Sequence, residues 1–260
     1  MQRSGLARFA MTVAMAHLGG CAVAGRRNQA AARSARIPAA GATMVRIDAG
    51  AGSLRVEGRA GTGDVLVTGI AHAATPELLG AIRIDTRRVA DTIFVSCAIP
   101  PAGARPGQPP SLDITVQVPS NLALDVTDSS GAAVIRNVAA LRIVHGSGGL
   151  DINTVAGKLD VTDGSGDMVV ANIYGDVHIR DGAGFIYLTD IRGSIDIPED
   201  GAGEIQVVGV SGDVTIGSKR SGEVAASGVG GNLAVTASGN GSIEFNDVKG
   251  RVTLPAARYH

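Results

Sequence analysis

From residue 128 to residue 255 the chain repeats itself with a period of eighteen or nineteen residues after a first repeat of seventeen, and this periodicity constrains the fold more than any other feature. The repeats run over 128–144, 145–162, 163–180, 181–198, 200–217, 219–236 and 238–255. With positions numbered 1 to 18, position 4 is glycine in all seven: Gly131, Gly148, Gly166, Gly184, Gly203, Gly222 and Gly241. Position 11 is always β-branched: Val138, Val155, Ile173, Ile191, Val210, Val229 and Val248. Positions 6 and 8 are apolar, as in Leu150/Ile152 and Ile186/Leu188, and so are 15 and 17 in the six full-length repeats, as in Leu159/Val161 and Ile195/Ile197. Apolar residues two apart within short runs follow the strand period. One repeat holds too little to bury them, whereas stacked repeats align each position with its equivalent one turn away. The pattern therefore predicts an all-β fold, a parallel β-helix (β-solenoid) with one chain coiling through rungs spaced about 4.8 Å apart around a narrow aliphatic core. Glycines at fixed corners supply the positive φ that the coil needs to turn. A helical reading fails, because Gly and Asp-Gly recur too often and no 3.6-residue period survives.

Composition agrees with such a core. Hydrophobic residues make up 45% of the 260, carried by aliphatic side chains, with no Trp, three Tyr and four Phe. That content excludes a disordered chain. No apolar run reaches the ~18–20 residues of a spanning helix. Six of the 23 basic residues and none of the 24 acidic ones lie in the first 43 positions. The rest is net acidic and a poor match for nucleic acid.

Residues 44–127 carry a weaker version of the theme. Ala51–Gly58 matches positions 3–10, and Val65 and Val67 could fill positions 15 and 17. Ile82/Ile84, Ile93/Val95 and Leu112/Ile114/Val116/Val118 alternate as strands, and Pro119 ends the last of them. The proline-rich stretch 100–110 reads as a loop. The segment is expected to form irregular first turns that cap the regular seven-rung solenoid of 128–255, with 256–260 as a short tail. Cys97 alternates with Ile93 and Val95 and is expected to serve as a small buried hydrophobe.

Before residue 44 the chain reads as an address. Arg3 and Arg8 precede a short apolar stretch that ends in small residues, the pattern of a secretory signal over 1–20. Leu18-Gly19-Gly20-Cys21 resembles the bacterial lipobox. The resemblance implies that the Cys21 thiol receives a diacylglycerol and becomes the mature N-terminus, and, with Ala22 next, that the protein sits at the outer membrane. Several acyl chains hold a protein firmly to a bilayer, at ~0.8 kcal/mol per buried CH₂. The Ala- and Arg-rich residues 21–43 read as a tether. With Cys21 acylated, Cys97 has no partner for a disulfide.

The lipoprotein-like start, the run Ile47–Gly58 (IDAGAGSLRVEG), the strand ending VQVP at Pro119 and the repeated glycine-and-valine rungs resemble the bacterial "putative adhesin" domains, similar in appearance to head-GIN domains. The resemblance covers about 44–255. It implies a right-handed β-solenoid and surface exposure, and its motifs carry no catalytic residues.

Few residues point to chemistry. GSGG (146–149) and GSGD (164–167) lack the Gly-Lys-Ser/Thr of a phosphate loop and recur as turns. Position 1 holds Asp128, Asp163, Asp181 and Asp200, and the last three would stack about 5 Å apart. Such a ladder is a weak candidate for a cation such as Ca²⁺, against the simpler expectation that each Asp accepts its own corner's N–H groups in an Asx-turn. His145 shares position 1 and His178 lies at outward position 16; neither sits in the pattern of a solenoid enzyme. The expectation is a membrane-tethered envelope module for binding, adhesion or structure, without catalysis or cofactor. Its partners would be the membrane and an envelope or surface protein or polysaccharide. The alternatives are a self-assembling solenoid scaffold and, behind it, a carbohydrate-active enzyme using Asp163, Asp181, His145 or His178.

Overall fold

The structure, a computed structural model, describes residues 29–101, 109–237 and 239–255. The signal segment 1–20, Cys21, most of the 100–110 loop and the tail 256–260 lie outside the described residues.

The chain forms β1 (Gln29–Pro38), β2 (Met44–Ala51), β3 (Leu54–Arg59), β4 (Asp64–Ala73), α1 (Pro76–Ala81), β5 (Arg83–Val89), β6 (Thr92–Ala98), β7 (Ser111–Pro119) and β8 (Ala123–Ser130). The repeats follow as β9 (Ala133–Val138), β10 (Ala140–His145), β11 (Leu150–Val155), β12 (Leu159–Asp163), β13 (Met168–Ile173), β14 (Val177–Ala183) and β15 (Ile186–Ile191). Then come β16 (Ile195–Ala202), β17 (Ile205–Val210), β18 (Val214–Ser221), β19 (Val224–Val229), β20 (Leu233–Ala237), β21 (Ile243–Val248) and β22 (Val252–Thr253). They make two 11-stranded sheets, ordered β1-β4-β7-β3-β9-β11-β13-β15-β17-β19-β21 and β22-β20-β18-β16-β14-β12-β10-β8-β2-β6-β5. From β9 onward each rung gives one strand to each sheet, and every neighbour is parallel.

This is the predicted β-solenoid. Val138, Val155, Ile173, Ile191, Val210 and Val229 pair rung to rung and are buried. Positions 6 and 8 precede them on the same first-sheet strands and are buried with them, and positions 15 and 17 close the core from the second sheet. The position-4 glycines do more than turn the chain. Gly166 has φ +136°, and a Cβ there would lie 1.9 Å from the Gly148 carbonyl oxygen. The same approach repeats at Gly148 and Gly184, so this corner admits no side chain. Position 10 is left-handed in all seven rungs, at Asn137, Thr154, Asn172, Asp190, Gly209, Gly228 and Asp247. Asn, Asp and Gly tolerate that region and Thr154 is the strained exception.

Residues 44–127 join the same core, with a different path from the one expected. Leu54 and Val56 occupy positions 6 and 8, paired with Ala133 and Ile135. Val65 and Val67 do not fill positions 15 and 17. β4 belongs to the first sheet, antiparallel to β1 and β7, and Val45 and Ile47 of β2 take the other places beside Leu124 and Val126. The β6–β7 coil stacks outside β2–β3, so that after β7 the chain passes back over β2–β3 to enter β8.

The tether expected over 21–43 is corrected in part, because Gln29–Pro38 is an edge strand along the whole of β4. Ala31, Arg33, Ala35 and Ile37 alternate inward, and Ala35 and Ile37 pack on the core. Arg33 donates from Nε to the Ile82 carbonyl (2.8 Å) and from a terminal nitrogen to that of Leu79 (2.6 Å). It thus satisfies the open end of α1, whose other end is capped by Thr75 and begun by Pro76. Two alanines, Ile37 and an arginine stem cover this edge.

Gly166→Ala is expected to cost roughly 3 kcal/mol or more, since the new methyl group meets backbone that cannot swing aside and φ is wrong for alanine. Denaturant titration of the purified variant measures it; a loss below about 1 kcal/mol would contradict this packing.

Candidate functional site

Inward alternation on the second sheet does not stop at position 17. It continues to position 1, so this residue of each rung points into the solenoid. Asp128, His145, Asp163, Asp181, Asp200 and Lys219 pair in that order through β8, β10, β12, β14, β16 and β18. All six are buried, Asp181 the least at 7% exposure. They form a column of titratable groups inside an otherwise aliphatic core.

The Asx-turn expectation at position 1 is therefore overturned: the carboxylates lie inside the coil and leave their corners. Side-chain oxygens accept neighbouring backbone N–H groups at position 14 instead. Asp176 Oδ1 accepts from Ser194 N (2.9 Å), Asp213 Oδ1 from Asn232 N (2.6 Å) and Asn232 Oδ1 from Arg251 N (2.9 Å).

Within the column, His145 Nδ1 donates to Asp163 Oδ1 at 2.8 Å. Its Nε2 donates to the Gly131 carbonyl at 3.1 Å and lies 3.4 Å from Asp128 Oδ2. Bonding to Asp128 and then Asp163 raises the imidazole to about 10, so it is cationic at neutral pH. Lys219 Nζ donates to Asp200 Oδ2 at 2.5 Å and to the Gly203 carbonyl. Asp181 stands between Asp163 and Asp200 with no cation beside it. Burial, and then the flanking charges of Asp163 and Asp200, push its carboxyl up to about 7. Among the described residues, both oxygens of Asp128 and of Asp181, together with Asp163 Oδ2 and Asp200 Oδ1, have no hydrogen-bond partner. A proton on Asp181 turns one of those oxygens into a donor toward Asp200. Among the described residues no group of three or more His, Cys, Asp or Glu is placed to hold a metal ion, and that includes Asp163, Asp181 and Asp200.

His178 is not brought near His145. It faces outward, and its Nδ1 meets Asp196 Oδ2 at 2.9 Å in a charge ladder up the second sheet. Arg46 reaches Asp125 at 2.6 Å in the same ladder, and Arg142 lies 3.4 Å from Asp125. Arg46 and Arg87 stack on Phe94 at its foot. Cys97 is half-buried against the core, and burial pushes its thiol up to about 12, so it is a poor nucleophile.

The outer face of the first sheet carries a groove of about 660 Å³ where β1, β4 and β7 pass into β3 and β9. Ser34, Thr68, Thr115 and the Arg55 guanidinium line it beside Ile70 and Val134. Ser53, Asp113 and His72 meet at its rim, with Asp113 in the middle: Ser53 donates to Oδ1 (2.9 Å) and His72 Nε2 lies 3.3 Å from Oδ2. The carboxylate separates hydroxyl from imidazole, which is the wrong order for activating a serine. Further along this face Val169 is exposed and the Phe185 and Tyr187 rings stack at 6.3 Å.

No protein-family model matches the chain, and no curated protein matches it. Solved structures do. One, described as a "putative adhesin" from Bacteroides fragilis, is 15% identical over 87% of this chain and 97% of its own, with a TM-score of 0.31. Another from Parabacteroides merdae, described likewise, is 15% identical over 87% and 96%, with a TM-score of 0.32. A third, described as a "putative lipid binding protein" from Parabacteroides distasonis, is 13% identical over 85% and 96%, with a TM-score of 0.35.

The column fixes a pH signature. An unfolded Asp181 loses its proton near 3.8 and the folded one near 7, so its contribution is complete below pH 3.8 and fades as pH rises to 7. His145 contributes fully below 6.5 and fades as pH rises through 10. Stability measured by denaturant titration should fall across both windows. His145→Ala should abolish the alkaline limb and cost about 3–5 kcal/mol at neutral pH by leaving Asp128 and Asp163 without their cation. A wild-type profile flat between pH 7 and pH 10 would contradict the buried imidazolium.

Proposed function

We propose that the chain is a non-catalytic binding module of the bacterial cell envelope, held to a membrane through acylated Cys21, and that it engages an envelope or surface polysaccharide or protein along the outer face of its first sheet. One observation carries the reading. The polar residues of position 1 are enclosed in the core and those of position 14 are used at the turns, while the first sheet presents a continuous outer surface from the Arg55 groove to Val169 and Tyr187. Hydroxyls, the Arg55 guanidinium and small apolar side chains on a rigid ladder suit an extended ligand that makes many weak contacts. The lipobox-like Leu18–Cys21 supports the anchor.

Two measurements test it. Cys21→Ser should move the protein from the membrane to the soluble fraction and remove the acyl mass; unchanged membrane association refutes the anchor. Binding of the full chain to isolated envelope polysaccharide should weaken about tenfold in Arg55→Glu and in Tyr187→Ala, each removing one contact worth about 1.4 kcal/mol. Arg142→Ala on the opposite sheet should leave it unchanged. Equal effects on both faces would refute the assignment.

The exposed Phe245 and Leu254 at the C-terminal rung favour a second reading, end-to-end stacking into a scaffold. Negative-stain images of the same preparation separate the two, showing filaments for a scaffold and single short rods for a binding module.

A further inference from the structure

The Lys219 and Asp200 side chains have no exposed surface at all, sit on successive rungs and meet at 2.5 Å, with the carboxyl of Asp181 on the far side of Asp200. We propose that Lys219 and Asp200 condense into an intramolecular amide that staples these two rungs, with Asp181 as the acid that handles the proton.

The arrangement holds each element the reaction requires. An amine and a carboxyl are fixed at contact, which removes the entropic cost of bringing them together. They lie in an interior walled by Ile197, Ile216 and their neighbours, where neither side chain has exposed surface and water is kept from the reacting pair. A third carboxyl, which keeps its proton up to about 7, stands next to the one to be attacked.

The chemistry balances without an oxidant or co-reactant. The ammonium passes one proton to the Asp200 carboxylate. The Nζ lone pair then attacks Asp200 Cγ and a C–N bond forms. Asp181 donates its proton to the oxygen that is to leave and recovers one from the nitrogen. The C–O bond breaks and water departs. Ammonium and carboxylate become one amide and one water, and Asp181 ends as it began.

The product also suits its surroundings better than the ion pair. The one N–H left on Nζ still donates to the Gly203 carbonyl, which already accepts from that nitrogen. The new amide oxygen accepts from the Asp181 O–H. Asp200 Oδ1 and the Asp181 carboxyl, all partnerless in the ionised column, are thereby accounted for.

Peptide mapping of the full chain tests this directly. Trypsin cuts after Arg192 and, in an unmodified chain, after Lys219. The amide blocks the second cut, so the expected product is Gly193–Arg220, one water lighter than its sequence, with no fragment ions from bonds between Asp200 and Lys219. A peptide of full mass ending at Lys219 overturns the proposal. So does a peptide one water lighter that still ends at Lys219, because the Asp200-Gly201 step can lose water alone as a cyclic imide. Lys219→Arg should restore full mass. Asp181→Asn, which keeps the shape but cannot give up a proton, should slow formation at least tenfold in chains whose circular dichroism matches the parent; an unchanged rate removes Asp181 from the reaction.

Discussion

A rung of this solenoid can bury its side chains only against its own equivalents, one turn above and one turn below. Every other property of the molecule follows from that. The backbone ladder sets the spacing near 4.8 Å, so whatever occupies a position in one rung must tolerate a copy of its position at that distance on both sides. Val155, Ile173 and Ile191 meet the condition by dispersion and by exclusion of water. At position 4 the condition is harsher: each glycine's missing side chain is the space that the previous glycine's carbonyl oxygen fills. Closeness of stacking and absence of a side chain are the same fact.

Polar residues obey the same rule, which gives the column its character. A carboxylate at an inward position has carboxylates or cations for neighbours, with no water to screen them. His145 between Asp128 and Asp163 turns two repulsions into two attractions. Lys219 does the same for Asp200. Asp181 has no cation beside it; burial and then the charges of Asp163 and Asp200 raise its carboxyl to about 7, while hydrogen bonds from Ser53 lower the surface carboxyl of Asp113. Sequence neighbours do not determine these properties; the residue seventeen to nineteen positions away does.

That distance explains what could be read from the sequence and what could not. The aliphatic positions were legible because alternation and repeat agree on them, and Leu54 and Val56 were placed correctly from the same pattern. Position 1 was misjudged although the alternation 15, 17, 1 runs straight to it, because Asp followed by Gly also has a strong local meaning as a turn. The signal that separates the two is the order down the column: Asp, His, Asp, Asp, Asp, Lys is a sequence of charges with partners, where a set of turn residues would need no cations. β1 was missed for a different reason. Its alternation is carried by Ala31, Arg33, Ala35 and Ile37, and with only one large apolar side chain it does not register as a buried face until β4 and α1 are beside it. β4 was assigned to the wrong sheet because Val65/Val67 has the same period in either, and only the antiparallel partner distinguishes them.

Repetition brings a hazard that the column answers. Rungs so alike could stack out of order with little loss of aliphatic contact, since Val or Ile meets Val or Ile in any arrangement. The buried charges break the degeneracy. Omitting the rung that carries His145 sets Asp128 against Asp163 with no cation between them, and displacing the rung of Lys219 leaves Asp200 beside Asp181 with neither ammonium nor amide to neutralise it. Two uncompensated buried carboxylates cost several kcal/mol, far more than one exchanged valine contact. The aliphatic positions thus make stacking favourable, and the buried charges at position 1 add a cost to any stacking that separates them from their partners.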